Sequence, residues 1–201
     1  MKRELKAQFI KDRIEGALVE LLETKAFSQI RVEEITEKVH ISRRTFYLYY
    51  KDKRDCLLDI LKRMLKSIED DYMQVLSVHD EAEEEEGFRK LLLKIRSNKL
   101  LINTMFINLT SREWLQLFRT EYDRRTAAEW EELSVYHLSQ DELELEKNME
   151  CATTAMRICH IANSMDDIAV FQANMHVLDI VHQRRVEQWS TKSVEHALGI
   201  R

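Results

Sequence analysis

Proline is absent from this chain, and glycine occurs only three times in its 201 residues. Folds built from strands need frequent turn residues, so this scarcity argues against them. Strong helix formers such as Leu, Glu, Lys, Met, Ala and Gln are abundant, and a hydrophobic fraction of 44% is enough for a core. The composition therefore predicts an all-α protein.

Disulfides and membrane segments are also not indicated. The three cysteines, Cys56, Cys151 and Cys159, are too few and too far apart for a disulfide scaffold. No apolar run approaches the roughly 18 residues of a membrane span. The amphipathic amino terminus lacks the uninterrupted apolar core of a signal peptide. We therefore expect a cytoplasmic protein that does not associate with membranes.

Catalytic and metal-binding patterns are missing as well. The chain has no Gly-x-Ser-x-Gly, HExxH or GxxxxGK[ST] motif. Zinc or copper bound by Cys151, Cys159 and His160 is disfavoured because these side chains diverge around one helix. We predict no catalytic site, no metal site and no cofactor.

Charge is distributed unevenly along the chain. Residues 1–66 contain 16 Lys and Arg against 11 Asp and Glu, whereas residues 67–201 contain 15 against 25. The densest basic and aromatic stretch is ISRRTFYLYYKDK at 41–53, with two arginines, two lysines and three tyrosines. This asymmetry suggests that only the first part of the chain meets a polyanion.

Apolar spacing divides the chain into helices. A first helix is predicted at about 4–24, and the small residues Gly16 and Ala17 would let another helix approach it closely. The run HDEAEEEEG at 79–87 is predicted to be a solvated connector, with an acidic partner-binding patch as the alternative. Further helices are predicted at 32–39, 42–49, from 53 beyond 76, and at 88–97, 99–108, 111–138, 141–164, 168–190 and 191–198.

The predicted architecture has about nine helices in two domains. Residues 1–50, which we call the head, form a three-helix helix-turn-helix domain, and residues 51–201, which we call the bundle, form an effector-binding and dimerisation domain. In the head, the helices at 32–39 and 42–49 fit a helix-turn-helix whose second helix enters the major groove. Ser42 can cap that second helix.

Side chains of the second helix fall on two faces. Phe46 and Tyr50 share the face predicted to lock the helix onto the core. Arg43 and Arg44 stand at the open first turn, where each guanidinium can donate two parallel hydrogen bonds to guanine O6 and N7. Leu48 can contact a thymine methyl group.

Other side chains are suited to the phosphate backbone. Thr45 and Tyr47 hydroxyls can donate to phosphate oxygens, which set register. Lys53 and Arg31 can reach the backbone on either side of the groove. The alternative is a basic amphipathic helix whose charges are merely solvated.

Four segments carry a resemblance to a known family. They resemble the DNA-binding domain of the tetracycline-repressor (TetR) family of bacterial transcription regulators, and the chain is thereby identified as a suspected member. The similar segments are Ile14-x-Gly16-Ala17-x-x-x-Leu21, KAF at 25–27, RVEEITEKVHIS at 31–42 and TFYLYYKDKRDCLLDIL at 45–61.

The resemblance implies roles for particular positions. Arg43 and Arg44 match base-reading positions, and Tyr49 is added to the phosphate-contacting set. His40 replaces a usual Gly in the turn, so left-handed backbone is predicted there. Arg31 replaces a usual Thr and is predicted to make an extra phosphate contact. The complete predicted DNA-binding set is Arg31, Ser42, Arg43, Arg44, Thr45, Tyr47, Leu48, Tyr49 and Lys53.

A homodimer is expected on a near-palindromic operator in double-stranded DNA. Helices carrying small and apolar residues at 151–162 and 171–189 point to a dimer surface within about 141–198, although the same stripes could face the monomer's own core.

The resemblance also implies a small-molecule effector pocket between the fourth helix and those that follow. Residues of the types predicted to line it are more often ordinary core residues than ligand contacts. We therefore predict a homodimeric repressor controlled by a small molecule. The alternative is a regulator, either repressor or activator, that responds to a protein partner and has no such pocket. The predicted lining comprises Met105, Trp114, Phe118, Tyr136, His137, Met156 and His160.

Overall fold

The computed structural model describes residues 2–78, 80–120, 123 and 139–164. These residues form helices joined by short turns and contain no strand, so the all-α prediction is confirmed. The predicted helices at 168–190 and 191–198 lie outside the described residues. The helices are α1 (Lys2–Leu22), α2 (Val32–Lys38), α3 (Arg43–Tyr47), α4 (Lys53–Leu76), α5 (Glu81–Ser97), α6 (Lys99–Asn108), α7 (111–120) and α8 (Gln140–Asn163), with a 3₁₀ turn at Phe27–Gln29.

Short polar side chains fix where several helices begin. Asp52 accepts a hydrogen bond from the Asp55 amide and starts α4. Ser139 and Glu142 cap α8 reciprocally, because each side chain accepts from the other residue's backbone amide. Such caps satisfy amides that the first turn leaves without a partner.

The acidic run at 79–87 is not the connector that the sequence predicted. Residues from Glu81 onward belong to α5, and the Asp80 side chain accepts from two amides of its first turn. Arg89 lies within 4 Å of Glu85 and Glu86 on the same helix face. Pairs at these spacings stabilise a helix, so an acidic run followed by basic residues remains helical.

α4 connects the head to the rest of the bundle. α1 packs against α2 and α4, while α4 also packs against α5 and α6, and α8 covers α5 and α6. One buried cluster runs through these helices, from Ile14 in α1 to Ala162 in α8. The head and the bundle both contact α4, so a displacement in either one can affect this helix.

Two sequence predictions about local backbone have different outcomes. His40 has φ of 54°, as predicted for the turn between α2 and α3. Gly16, however, is exposed, and a Cβ built there would meet nothing within 4 Å. The prediction of a close helix approach at Gly16 and Ala17 is wrong for Gly16, although Ala17 is buried in the core. A close approach also occurs at Gly87, where a Cβ would lie 2.8 Å from Val75 Cγ2.

The described helices include none that is both long enough and apolar enough to cross a bilayer.

Candidate DNA-binding interface

The five-residue helix α3 is anchored by aromatic side chains on one face. Phe46 is fully buried and Tyr50 is 3% exposed, with ring centroids 5.9 Å apart. The Ser42 hydroxyl caps the helix by accepting from the Thr45 amide at 3.0 Å. Both the predicted cap and the predicted locking face are present, so the opposite face of α3 is presented to solvent.

That opposite face carries the side chains predicted to meet DNA. Arg43 and Arg44 are exposed in the first turn. Leu48 is 75% exposed and Tyr47 is 49% exposed, unusually open for large apolar or aromatic side chains. A solvent-facing cluster of two guanidinium groups, a phenol and an isobutyl group matches the chemistry of base edges and phosphates.

Arg43 forms an ion pair, whereas Arg44 has no ion-pair partner among the residues that the structure describes. Arg43 Nη1 lies 2.7 Å from Glu33 Oε1 on α2. Hydrogen bonding to Tyr47 and attraction to the Glu33 carboxylate raise the pKa of Arg43. The two arginines therefore share an exposed turn but differ in how far their orientation is fixed in the free protein.

The remaining predicted contacts on this side are partly engaged. Thr45 is half-buried, and its hydroxyl lies 2.9 Å from the Ser42 hydroxyl. Tyr49 is also half-buried. Arg31 is exposed and precedes α2, where its backbone amide donates to Glu34. These residues lie around the exposed face of α3 and the start of α2, so they remain candidates for phosphate contact.

Lys53 has a structural task in this arrangement. Its Nζ donates to the carbonyl oxygens of Phe27, Ser28 and Ile30 at 2.7, 3.1 and 2.7 Å. It also lies 4.7 Å from the centroid of the Phe27 ring, and burial lowers its pKa. Because an ammonium has three protons, a phosphate contact by Lys53 would require at least one of these bonds to be exchanged.

A buried carboxylate fastens the head to α4. Glu15, on α1, is 5% exposed; it accepts from the Tyr50 hydroxyl and pairs with Arg63 of α4. Beside it, Lys11 Nζ lies 3.0 Å from Asp59 Oδ2. The base of the recognition helix, α1 and the first half of α4 are thereby joined in one polar network.

A second link joins the start of α4 to the turn between α6 and α7. Arg54 Nη2 donates to both carboxylate oxygens of Glu113, at 2.7 and 2.6 Å, and Nη1 donates to the Asn108 carbonyl at 3.0 Å. Glu113 also accepts from the Thr110 amide, which caps α7. These hydrogen bonds, led by that from Arg54, lower the pKa of Glu113 to about 2.

Comparison with known proteins shows where a similar sequence occurs. A sequence model described as "Bacterial regulatory proteins, tetR family" matches residues 15–60, from the middle of α1 into α4. Residues 15–60 are therefore a DNA-binding domain of the tetracycline-repressor type. It is also 26% identical, over 167 residues and 80% of each chain, to "HTH-type dhaKLM operon transcriptional activator DhaS" of Lactococcus lactis subsp. lactis (strain IL1403). The protein is thus a DNA-binding transcriptional regulator of the TetR type.

Of the residues predicted to line an effector pocket of this TetR-type regulator, only some lie together in the described part of the chain. Met105 and Phe118 are buried, and Trp114 is half-buried between Phe106 and Phe118. By contrast, Met156 is 59% exposed on α8 and His160 on the same helix is exposed. Tyr136 and His137 lie outside the described residues.

A cleft at another place is found between the end of α4 and the start of α5. It has a volume of about 680 Å³ and is open to solvent. Val75, Val78 and Leu91 contribute apolar surface, while Asp71, Glu83, Glu86 and Lys90 contribute charge. None of the predicted effector residues lines it. Among the described residues, no three His, Cys, Asp or Glu side chains are grouped as a metal site requires.

An exposed apolar stripe runs along α8. Leu145, Met149 and Met156 are 60%, 48% and 59% exposed. Their spacing of four and seven residues places them on one helix face. The buried side chains Cys151, Ala155 and Ile158 occupy the other face and pack on the monomer's core. Part of this helix therefore faces inward, as the alternative interpretation held, and part does not.

Three residues with evident roles were missed at the sequence level: Glu33, Arg54 and Glu113. Each acts through a partner on another helix, and Arg54 and Glu113 are 59 positions apart. No local sequence pattern indicated that Glu33 would contact Arg43. A helix beginning at 111 was predicted, but nothing in the sequence indicates that the Glu113 carboxylate accepts hydrogen bonds from Arg54.

Proposed function

We propose that the protein is a homodimeric repressor whose affinity for a near-palindromic operator is controlled by a small molecule bound in the bundle. The observation that carries this proposal is the exposed cluster Arg43, Arg44, Tyr47 and Leu48 on a firmly anchored α3. A dimer seated on promoter DNA blocks polymerase without further contacts. The protein works where the chromosome lies, in the cytoplasm.

In the proposed complex, α3 enters the major groove by its amino-terminal end. Arg43 and Arg44 donate to guanine, and Leu48 packs on a thymine methyl group. The other members of the set hold the phosphate backbone and fix register: Arg31, Ser42, Thr45, Tyr47, Tyr49 and Lys53.

Dimerisation is supported by the stripe of Leu145, Met149 and Met156. One helix-turn-helix reads few base pairs, so specific affinity needs a second copy spaced by about one helical turn or a multiple. A second α8 laid against this stripe would bury side chains that the monomer leaves in water, and burial of apolar area is favourable. The second helix of the expected interface, at 171–189, lies outside the described residues.

Effector control needs a path from the bundle to the head. The Arg54–Glu113 pair supplies one, because it ties the first turn of α4 to the α6–α7 turn. A ligand that displaces α6 or α7 would pull on α4 at the point where it meets α3, and so alter the distance between the two recognition helices of a dimer. We place the domain boundary just before α4, at 50/51.

A second candidate function is transcriptional activation in response to a protein partner. Two observations favour it: the name of the Lactococcus relative describes an activator, and the cleft between α4 and α5 is open rather than enclosed. Enclosed, mostly apolar pockets are typical of small-molecule sites.

Footprinting of the purified protein on DNA flanking its own gene tests the DNA-binding proposal. The wild type should protect two half-sites about 10 base pairs apart or a multiple of this. Arg43→Glu combined with Arg44→Glu should weaken protection about a hundredfold or more, because four base-reading groups per dimer are reversed. Lys62→Glu with Lys66→Glu, the same charge change on the exposed face of α4, is the matched control. Equal protection by the wild type and the Arg43, Arg44 variant would refute the proposal.

A reporter fused to the protected promoter separates the two candidate functions. Deleting the regulator should raise expression if it represses and lower expression if it activates. A thermal-shift screen with hydrophobic cations, acyl thioesters and aromatic compounds then asks whether the bundle binds a small molecule. Stabilisation by one chemical class supports the sensor, and uniformly null results support the protein partner.

A further inference from the structure

An acidic side chain lies inside the surface proposed to meet DNA. Glu33, in the first turn of α2, is 44% exposed and reaches across to α3, where its Oε1 lies 2.7 Å from Arg43 Nη1. A carboxylate at this place repels phosphates and so opposes general attraction to DNA. Attraction between the arginines and DNA does not explain why Glu33 lies in this surface.

The contact restricts one arginine and leaves its neighbour unrestricted. Arg43 is held by Glu33 of α2, whose Oε1 lies 2.7 Å from Arg43 Nη1. Arg44 follows it directly and has no ion-pair partner among the residues that the structure describes. An arginine held in place before binding loses less conformational freedom when it binds. Its affinity for the target that fits this orientation therefore rises relative to its affinity for other targets.

The ion pair also leaves enough donors for a base. A guanidinium has five N–H groups in a fixed plane, and guanine O6 and N7 need only two of them. A phosphate approaching the same guanidinium would come close to the Glu33 carboxylate. Specific interfaces use such unfavourable alternatives together with favourable contacts.

We propose that Glu33 is a specificity-determining positioning residue, which holds Arg43 in the orientation that reads a base and keeps it from binding phosphate. This inference rests on the proposed base contact by Arg43. It differs from a direct contact between Glu33 and DNA, in which the carboxylate would accept a hydrogen bond from cytosine N4.

Selection from a pool of duplexes with a randomised 30-base-pair core measures the effect. Wild type, Glu33→Ala, Glu33→Gln and Arg43→Ala are compared, with Glu37→Ala as the matched control. Glu37 lies one turn further along α2, is exposed and carries the same charge as Glu33. Circular dichroism confirms that each variant folds, and Glu33→Gln, which keeps the side-chain shape, serves if Glu33→Ala does not.

The wild type should enrich a motif in which one position per half-site depends on Arg43. At that position Glu33→Ala should lower base discrimination roughly three- to tenfold, with the other positions unchanged. Its affinity for an unselected 30-base-pair duplex should rise, and the slope of log K against log salt should steepen by about one per subunit as Arg43 turns to phosphate. Glu37→Ala should enrich the wild-type motif.

Each other outcome overturns the inference. If Glu33→Ala and Glu33→Gln enrich the wild-type motif with equal strength, Glu33 does not position Arg43. If they lose a cytosine preference that Arg43→Ala retains, Glu33 contacts DNA itself.

Adding Glu33→Ala to Arg43→Ala should change nothing further at the shared position, because a positioning residue has no role without its arginine. If the wild type enriches no motif at all, the proposed function fails first, and that result is distinguishable from the others.

Discussion

The first half of α4 is held by two attachments that differ in burial. On the side of the head, Glu15 is buried and joins Tyr50 to Arg63. On the side of the α6–α7 turn, Arg54 and Glu113 have side chains that are 38% and 34% exposed. Breaking the first attachment strands a charge away from water, whereas breaking the second leaves both groups partly solvated.

This difference indicates which parts move together. The head and the first half of α4 form one unit, because separating them would leave a buried carboxylate without its partners. The α6–α7 turn can shift relative to that unit at a smaller cost in free energy. Under the proposed effector control, a ligand in the bundle would therefore act at the Arg54–Glu113 pair rather than within the head.

Removing the cation that serves Glu15 should have the largest effect on stability. Arg63→Met keeps most of the side-chain volume but leaves the Glu15 carboxylate with fewer partners. We expect the free energy of unfolding to fall by about 2 kcal/mol, less than for a fully buried pair because Arg63 is half-exposed. Urea denaturation measures this.

Arg89→Met is the matched control, because among the described residues Arg89 pairs with Glu85 and Glu86 on the surface of α5. It should change stability by no more than about 0.5 kcal/mol. Equal effects of the two substitutions would contradict the difference between the attachments.

The two glycines that the structure describes, both helical, extend the comparison of head and bundle. Gly87→Ala places a methyl group 2.8 Å from the Val75 side chain, where α5 meets α4. Val75 is buried and stiff at χ1, so the helices must shift. We expect a loss of about 1 kcal/mol in urea denaturation, after the helix-propensity gain is subtracted. Combining it with Val75→Ala should cost less than the sum of the two single changes.

Gly16→Ala should have the opposite sign. The position lies inside α1 and a Cβ there meets no atom within 4 Å, so the substitution only reduces the freedom of the unfolded chain and favours the helix. We expect a gain of about 0.5–1 kcal/mol. A loss in thermal and urea unfolding would show that α1 is packed at this point by something outside the described residues.

The Arg54–Glu113 attachment should make the smallest contribution and should depend on pH. The folded-state pKa of Glu113 is about 2, below its ordinary value of 4.5, so the pair stabilises the fold above about pH 4.5. The contribution is lost as the pH falls from about 4.5 towards 2. Glu113→Gln should therefore be less stable than the wild type at pH 6, with the difference shrinking steadily as the pH falls through about 2. A difference that persists unchanged to pH 2 would show that another group titrates.

How far the sequence predicts this molecule depends on the distance over which each contact acts. The starts of α3 and α8 were predictable because Ser42 and Ser139 cap helices within their own first turns. Phe46 and Tyr50 were correctly assigned to the core from helical spacing alone. The acidic run was misassigned because its composition suggested solvation, although Asp80 caps it and Arg89 offsets its charge.

The contacts that tune the candidate site could not be predicted in the same way. Glu33 meets Arg43, and Arg54 meets Glu113, only because separate helices fold side by side. Lys53 illustrates the limit most clearly. Its position at the start of α4 predicted a phosphate contact, while its Nζ donates to three carbonyls of its own chain. That prediction stays untested, and the structure adds what such a contact would displace.

The recognition helix contributes a single buried side chain to the fold. Within α3, only Phe46 is buried, while Arg43, Arg44 and Tyr47 extend into solvent and Thr45 is half-covered. Most positions that would choose a target sequence can therefore change with little penalty in stability. A scaffold of this kind can be redirected to a new promoter by a few surface substitutions, while the helices that support it stay as they are.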